Sequence, residues 1–160
     1  MKEKTKRYIK VFLTSILITE AVGGLSALLT RSGMKDFESI IKPALTPPST
    51  VFPIVWSILF AVMAIGVGLI YLSPPSIDRT HGIIIYVLQL LFNFFWSIFF
   101  FNTKVYGFSF FWLICLFLLI ALMIYKWYKV NKTAALLQIP YLLWVGFAGY
   151  LNYSVWMLNS

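Results

Sequence analysis

Residues 51–72 read VFPIVWSILFAVMAIGVGLIYL, a run without one charged side chain. A helix rises 1.5 Å per residue and needs about 20 apolar residues to cross the hydrocarbon of a bilayer. This run meets that length, and four others match it: 8–29, 81–101, 106–128 and 133–158. Only one acid, Glu20, falls inside any of the five. The chain therefore reads as an all-α integral membrane bundle of five transmembrane helices. Its 160 residues leave no room for a soluble domain, so 1–160 forms a single membrane domain.

Composition agrees. Hydrophobic residues make up 61% of the chain and charged residues 11%. A water-soluble domain of that composition would expose large apolar patches and aggregate. The net charge of +8 does not indicate nucleic acid, because the basic residues are sorted among loops. Lys2, Lys4, Lys6, Arg7, Lys10, Arg79, Lys126, Lys129 and Lys132 fall on one side of the five crossings; Arg31, Lys35, Lys42 and Lys104 fall on the other. Excess positive charge stays inside, which predicts an inside N-terminus and an outside C-terminus. The first span exceeds the apolar core of a signal peptide and reads as a retained helix. Cys115 stands alone and His81 has no second histidine or cysteine nearby, so no metal site is expected. No phosphate-binding, zinc-protease or nucleophile-elbow motif gives standard nucleotide or hydrolytic chemistry a foothold, and no cofactor is expected.

The connection 30–50 is the longest. It holds Pro43, Pro47 and Pro48, which fix a turning or extended path. A stiff connection of that size reads as a lid or binding element. In the third span Gln89, Asn93, Trp96 and Ser97 share one helical face, and amides facing lipid would be costly, so the stripe faces the interior. Interhelical hydrogen bonding and ligand contact remain equal readings of it. In the fifth span Tyr141, Trp144, Ala148 and Asn152 form a similar stripe, with Pro140 expected to kink the helix. Trp56 and Phe60 lie one turn apart below the Pro-rich loop; a tryptophan there also serves as an interfacial anchor. Glu20 sits about 18 Å along its helix, near mid-depth. An acid at that depth suggests function, with a neutral acid hydrogen-bonded only for packing an equal reading, and the depth predicts contact with Asn93 or Gln89.

Taken together these residues resemble the tryptophan-rich sensory protein/translocator protein family. The resemblance covers about 37–159. It is carried by Lys42-Pro43 with Pro47-Pro48, by Val51-Phe52-Pro53 and Trp56, and by Gln89-Leu90 with Asn93, Trp96 and Ser97. Pro140-Tyr141, Trp144, Phe147-Ala148, Leu151-Asn152 and Asn159 complete it. It implies binding of porphyrins such as protoporphyrin IX, of sterols in some members, and of isoquinoline carboxamides and benzodiazepines. It also implies a site under the first loop made by Phe37, Pro48, Trp56, Phe60, Asn93, Trp144 and Ala148, and a homodimer.

The chain departs from the family at Leu45, where a tryptophan is usual, at Asp36, where some bacterial relatives have tryptophan, and at Phe37, which lacks the usual hydroxyl. No basic residue follows Tyr153, so the sterol motif of animal members is absent. The expectation is a receptor or carrier for hydrophobic ligands in a bacterial plasma membrane. Two alternatives stand beside it: a light-dependent porphyrin-degrading enzyme using Trp56 and Trp144, and a proton-coupled exporter using Glu20.

Overall fold

The computed structural model describes residues 2–160. Five helices long and apolar enough to cross a membrane account for most of them. Helix α1 spans Lys2–Leu29 and a short α2 spans Arg31–Phe37. Helix α3 spans Val51–Leu72, and α4 spans Ile77–Ser97 before widening into a π turn at Ile98–Asn102. Helix α5 spans Tyr106–Val130. The last crossing is divided into α6, Lys132–Leu136, and α7, Ile139–Leu158.

Local chemistry explains the boundaries. Pro74 and Pro75 follow α3, and Ser73 turns extended there because proline offers no amide to continue the ladder. Ser76 then caps α4, its Oγ accepting from the Arg79 amide at 3.1 Å. Asn131 does the same for α6, accepting from the Ala134 amide at 3.0 Å. The expected kink at Pro140 is not formed. The chain breaks earlier, at Leu137 and Gln138, and Pro140 sits in the first turn of α7, where its missing amide costs nothing. The 30–50 connection is likewise more structured than a turning coil, since α2 occupies its first third.

Helix α1 lies along α3 and α4, α4 runs against α5, and α5 runs against α7. Helix α6 docks on the far end of α3. The common core is formed by Met63, Ala64 and Ile70 of α3, by Leu116, Ile120, Met123 and Trp127 of α5, and by Val145 and Val155 of α7. Trp127 reaches α4 because Gly82 has no side chain. Its Nε1 donates to the Gly82 carbonyl at 3.1 Å, and a methyl on Gly82 would stand 2.7 Å from the ring. The outward faces are apolar instead of polar, with Leu13, Leu17, Leu28, Phe111, Leu118 and Leu143 all exposed. That inversion suits a lipid surround.

Candidate functional site

At the end of the bundle that carries the 30–50 connection, α1, α3, α4 and α7 enclose a cavity of about 160 Å³. Each helix contributes residues at helical spacing. Helix α3 supplies Phe52, Trp56 and Phe60; α4 supplies Asn93 and Trp96, and the π turn after it Phe100; α7 supplies Trp144, Phe147, Ala148 and Leu151. Repeats of three and four put such residues on one stripe.

Trp56 is the centre of the wall. Its ring lies 5.8 Å from Phe60, 6.2 Å from Trp96 and 6.4 Å from Trp144, centre to centre. The Trp56–Trp144 pair is edge to face, an arrangement favoured by the ring quadrupole. Phe60 seats against α1 because Gly23 opposes it; a β-carbon on Gly23 would overlap the Phe60 ring. Overhead, Phe37 of α2 packs on Phe100 at 5.5 Å and on Phe101 at 5.6 Å.

Polar groups behind the aromatic wall hold it in place. The Tyr141 hydroxyl donates to Gln89 Oε1 at 2.7 Å and accepts from Asn93 Nδ2 at 2.9 Å. Gln89 Nε2 points at the Met63 sulfur, 3.0 Å away. Asn152, fully buried, accepts from Trp96 Nε1 at 3.0 Å and from Ser109 Oγ at 3.1 Å, and donates to the Tyr106 carbonyl at 2.8 Å. Buried amides satisfied in this way tie α4, α5 and α7 together. The equal readings of the α4 stripe thus divide by residue: Gln89 is committed to interhelical bonding, whereas Asn93 is bonded and also lines the cavity. Among the residues that line the cavity, one buried polar atom is left over. Trp144 Nε1, buried, has no hydrogen-bond partner.

Six of the seven residues expected at the site line this one cavity: Phe37, Trp56, Phe60, Asn93, Trp144 and Ala148. Pro48 does not. It lines a groove above, with Lys42, Pro43, Thr46 and Pro47. Phe37 and Phe52 border both spaces, so they form the partition between groove and cavity. Glu20 lines the cavity but does not meet Asn93 or Gln89, whose amides are spent on Tyr141 and Met63. The sequence reading missed Phe52, Phe100, Phe147 and Leu151. Their spacing from Trp56, Asn93 and Trp144 was the signal that could have found them.

The roof is fastened at its edges. Lys104 Nζ reaches Asp36 Oδ2 at 2.8 Å, joining α2 to the turn after α4. That contact raises the Lys104 ammonium above the ordinary lysine range. Lys104 itself has a left-handed backbone, with φ 55°. Asn102 Nδ2 donates to the Leu29 carbonyl at 3.0 Å, and Lys42 Nζ donates to the carbonyls of Phe37 and Glu38 at 3.2 and 2.9 Å.

A five-helix membrane bundle with an aromatic cavity beneath its first connection is the class of protein this geometry defines. Comparison with known proteins places it further. The model of the TspO/MBR family matches residues 15–157, and the chain belongs to that family. It is 32% identical to the tryptophan-rich protein TspO of Chlorobaculum tepidum over 77% of this chain and 78% of that one. It is also 32% identical to the translocator protein of Bos taurus, over 90% and 87%. Protein CrtK of Rhodobacter capsulatus is 30% identical over 77% and 78%.

Proposed function

We propose that this membrane protein binds planar hydrophobic ligands, porphyrins such as protoporphyrin IX and isoquinoline carboxamides among them, in the cavity under the 30–50 connection. The observation that carries this reading is the wall itself: three indoles and several phenyl rings around one space, with the Trp144 N–H left without an acceptor. Aromatic rings around such a space can stack on a flat ligand. Phe37, Trp56, Phe60, Trp144 and Ala148 would shape the ligand's seat, Asn93 would orient it, and Pro48 would touch it only through the groove above. A site of about 160 Å³ is tighter than the roughly 300–1,000 Å³ common for ligand sites. A tetrapyrrole therefore needs the partition of Phe37 and Phe52 to move, which makes the roof a gate. The N-terminus lies inside and the C-terminus outside a bacterial plasma membrane, and the working unit is a homodimer.

Titration of the detergent-solubilised protein with protoporphyrin IX in darkness, followed by tryptophan quenching, tests the reading. Saturable binding that Trp144→Ala weakens about tenfold or more supports it. Unsaturable quenching, or an affinity indifferent to Trp144, removes the cavity from consideration. A second reading, light-dependent porphyrin degradation, is favoured by the proximity of Trp56, Trp96 and Trp144 to any occupant. Illumination of the same sample separates the two: turnover lost in Trp56→Phe and Trp144→Phe marks an enzyme, and an unchanged porphyrin spectrum marks a receptor or carrier.

A further inference from the structure

Glu20 is the only ionisable acid or base in the cavity wall; no lysine, arginine or histidine lines it. Three of the four acids outside the spans are ion-paired: Glu3 with Lys6, Asp36 with Lys104 and, at the other end of the bundle, Asp78 with Lys126. Among the described residues no hydrogen bond or ion pair reaches Glu20, although it is half-buried within α1. A carboxyl group in a membrane span is costly and normally finds a partner inside the bundle. Here the polar groups that could have served, on Gln89 and Asn93, are bonded elsewhere.

Trp56, Trp96 and Trp144 line the same space as Glu20. A carboxylate and several aromatic rings around one small cavity form the chemistry that recognises an organic cation. The carboxylate attracts the charge directly, and the ring quadrupoles attract it through their faces, most strongly where water is excluded. An anionic group in the same place would be repelled with nothing to offset it. An acidic ligand would have to keep its carboxylates at the loop mouth, where Lys42 borders the groove. Resting on the reading of this cavity as a ligand site, we propose that it prefers planar aromatic cations, with the charged nitrogen seated between Glu20 and the indoles.

N-methylacridinium and 9-methylacridine have nearly the same shape and differ in charge at mildly alkaline pH. Equilibrium dialysis of each against the detergent-solubilised protein, its Glu20→Gln variant and its Trp144→Ala variant reads the preference. The wild-type protein should bind the cation about tenfold or more tightly than the neutral compound. Glu20→Gln should erase that difference. A preference absent from the wild type, or retained in Glu20→Gln, overturns the role of Glu20. In that case weakened 9-methylacridine binding in Trp144→Ala still upholds the cavity as a ligand site. Failure of both probes to bind saturably overturns the two readings together. Acridine-9-carboxylate adds a check that needs no variant: it should bind the wild type more weakly than 9-methylacridine, and equal or tighter binding sinks the cation preference.

Discussion

The side-chain amide of Asn159 straddles the peptide of Ile41. Its Nδ2 donates to the Ile41 carbonyl at 2.9 Å, and its Oδ1 accepts from the Ile41 amide at 3.3 Å. Residues 118 positions apart are thereby joined, and the middle of the roof is fixed to the end of α7. Asn159 is itself held by a third bond from Nδ2 to the Val155 carbonyl at 2.8 Å. The clasp is exposed to solvent, so water can replace it at modest cost. Such a contact is compatible with the proposed opening of the connection.

Asn159→Ala should loosen the roof without unfolding the bundle. Net loss for two exposed bonds is on the order of 1–2 kcal/mol, confined to the connection. Hydrogen exchange of the amides around Ile41 should accelerate, while those of α5 stay protected. Porphyrin association and dissociation should both quicken. Unchanged exchange at Ile41 would mean that the clasp does not restrain the roof.

The second fastening, Lys104 to Asp36, is ionic and exposed. Salt should weaken it, and Lys104→Ala should raise exchange in α2 more at low ionic strength than at high. Because Asp36 raises the Lys104 ammonium, the contribution is fully present below the ordinary lysine range. It fades only as pH rises through the higher folded value. Exchange in α2, corrected for its intrinsic pH dependence, should therefore be flat from neutral to mildly alkaline pH in the wild type. A loosening within that window would contradict the assignment.

Tyr141→Phe removes one hydroxyl and strands two buried amides, those of Gln89 and Asn93. Leaving buried partners unsatisfied costs about 1–3 kcal/mol, offset in membranes by alternative partners. Thermal unfolding in detergent should fall by several degrees. Asn93, released from Tyr141, should also lose its fixed orientation in the cavity wall. A variant as stable as the wild type would show that the amides re-pair locally.

Gly23→Ala places a methyl where the Phe60 ring lies. Either α1 moves away from α3 or the ring turns into the cavity. Overpacking of this kind costs about 1–3 kcal/mol, and both adjustments should lower porphyrin affinity. Phe60→Leu in the same chain should recover the lost stability. No loss in the single variant would mean that α1 shifts freely.

Much of this architecture was legible before any coordinates, because lipid imposes a simple rule on length and polarity. The run 51–72 coincides with α3 at both ends, bounded by prolines whose effect is local. The interior faces were legible as well: a stripe bearing Gln89, Asn93 and Trp96 has only one affordable direction in a membrane. What spacing could not give was the pairing between helices. Glu20 was matched by depth to Asn93 and Gln89, but depth leaves the rotation of each helix open. The amides instead chose Tyr141 and Met63. Pro140 was read as a kink because proline interrupts a helix interior, whereas the break came just before it and left it in a first turn. Pro48 was placed at the site by resemblance, and the partition of Phe37 and Phe52 sets it one layer away. Phe37 ends α2 within the connection and Phe52 lies in the first turn of α3 beyond it; the connection between them is held by Asn159 and Lys104, contacts too distant in sequence for any local pattern to reveal.

The cavity is best tested by filling it. Ala148 is buried and lines the space, so Ala148→Phe should occupy the ligand's seat while leaving the polar networks around Tyr141 and Asn152 intact. With thermal stability unchanged, the variant's dark affinity for protoporphyrin IX should fall about tenfold or more. A stable Ala148→Phe protein that binds the porphyrin as tightly as the wild type would show that the ligand lies elsewhere.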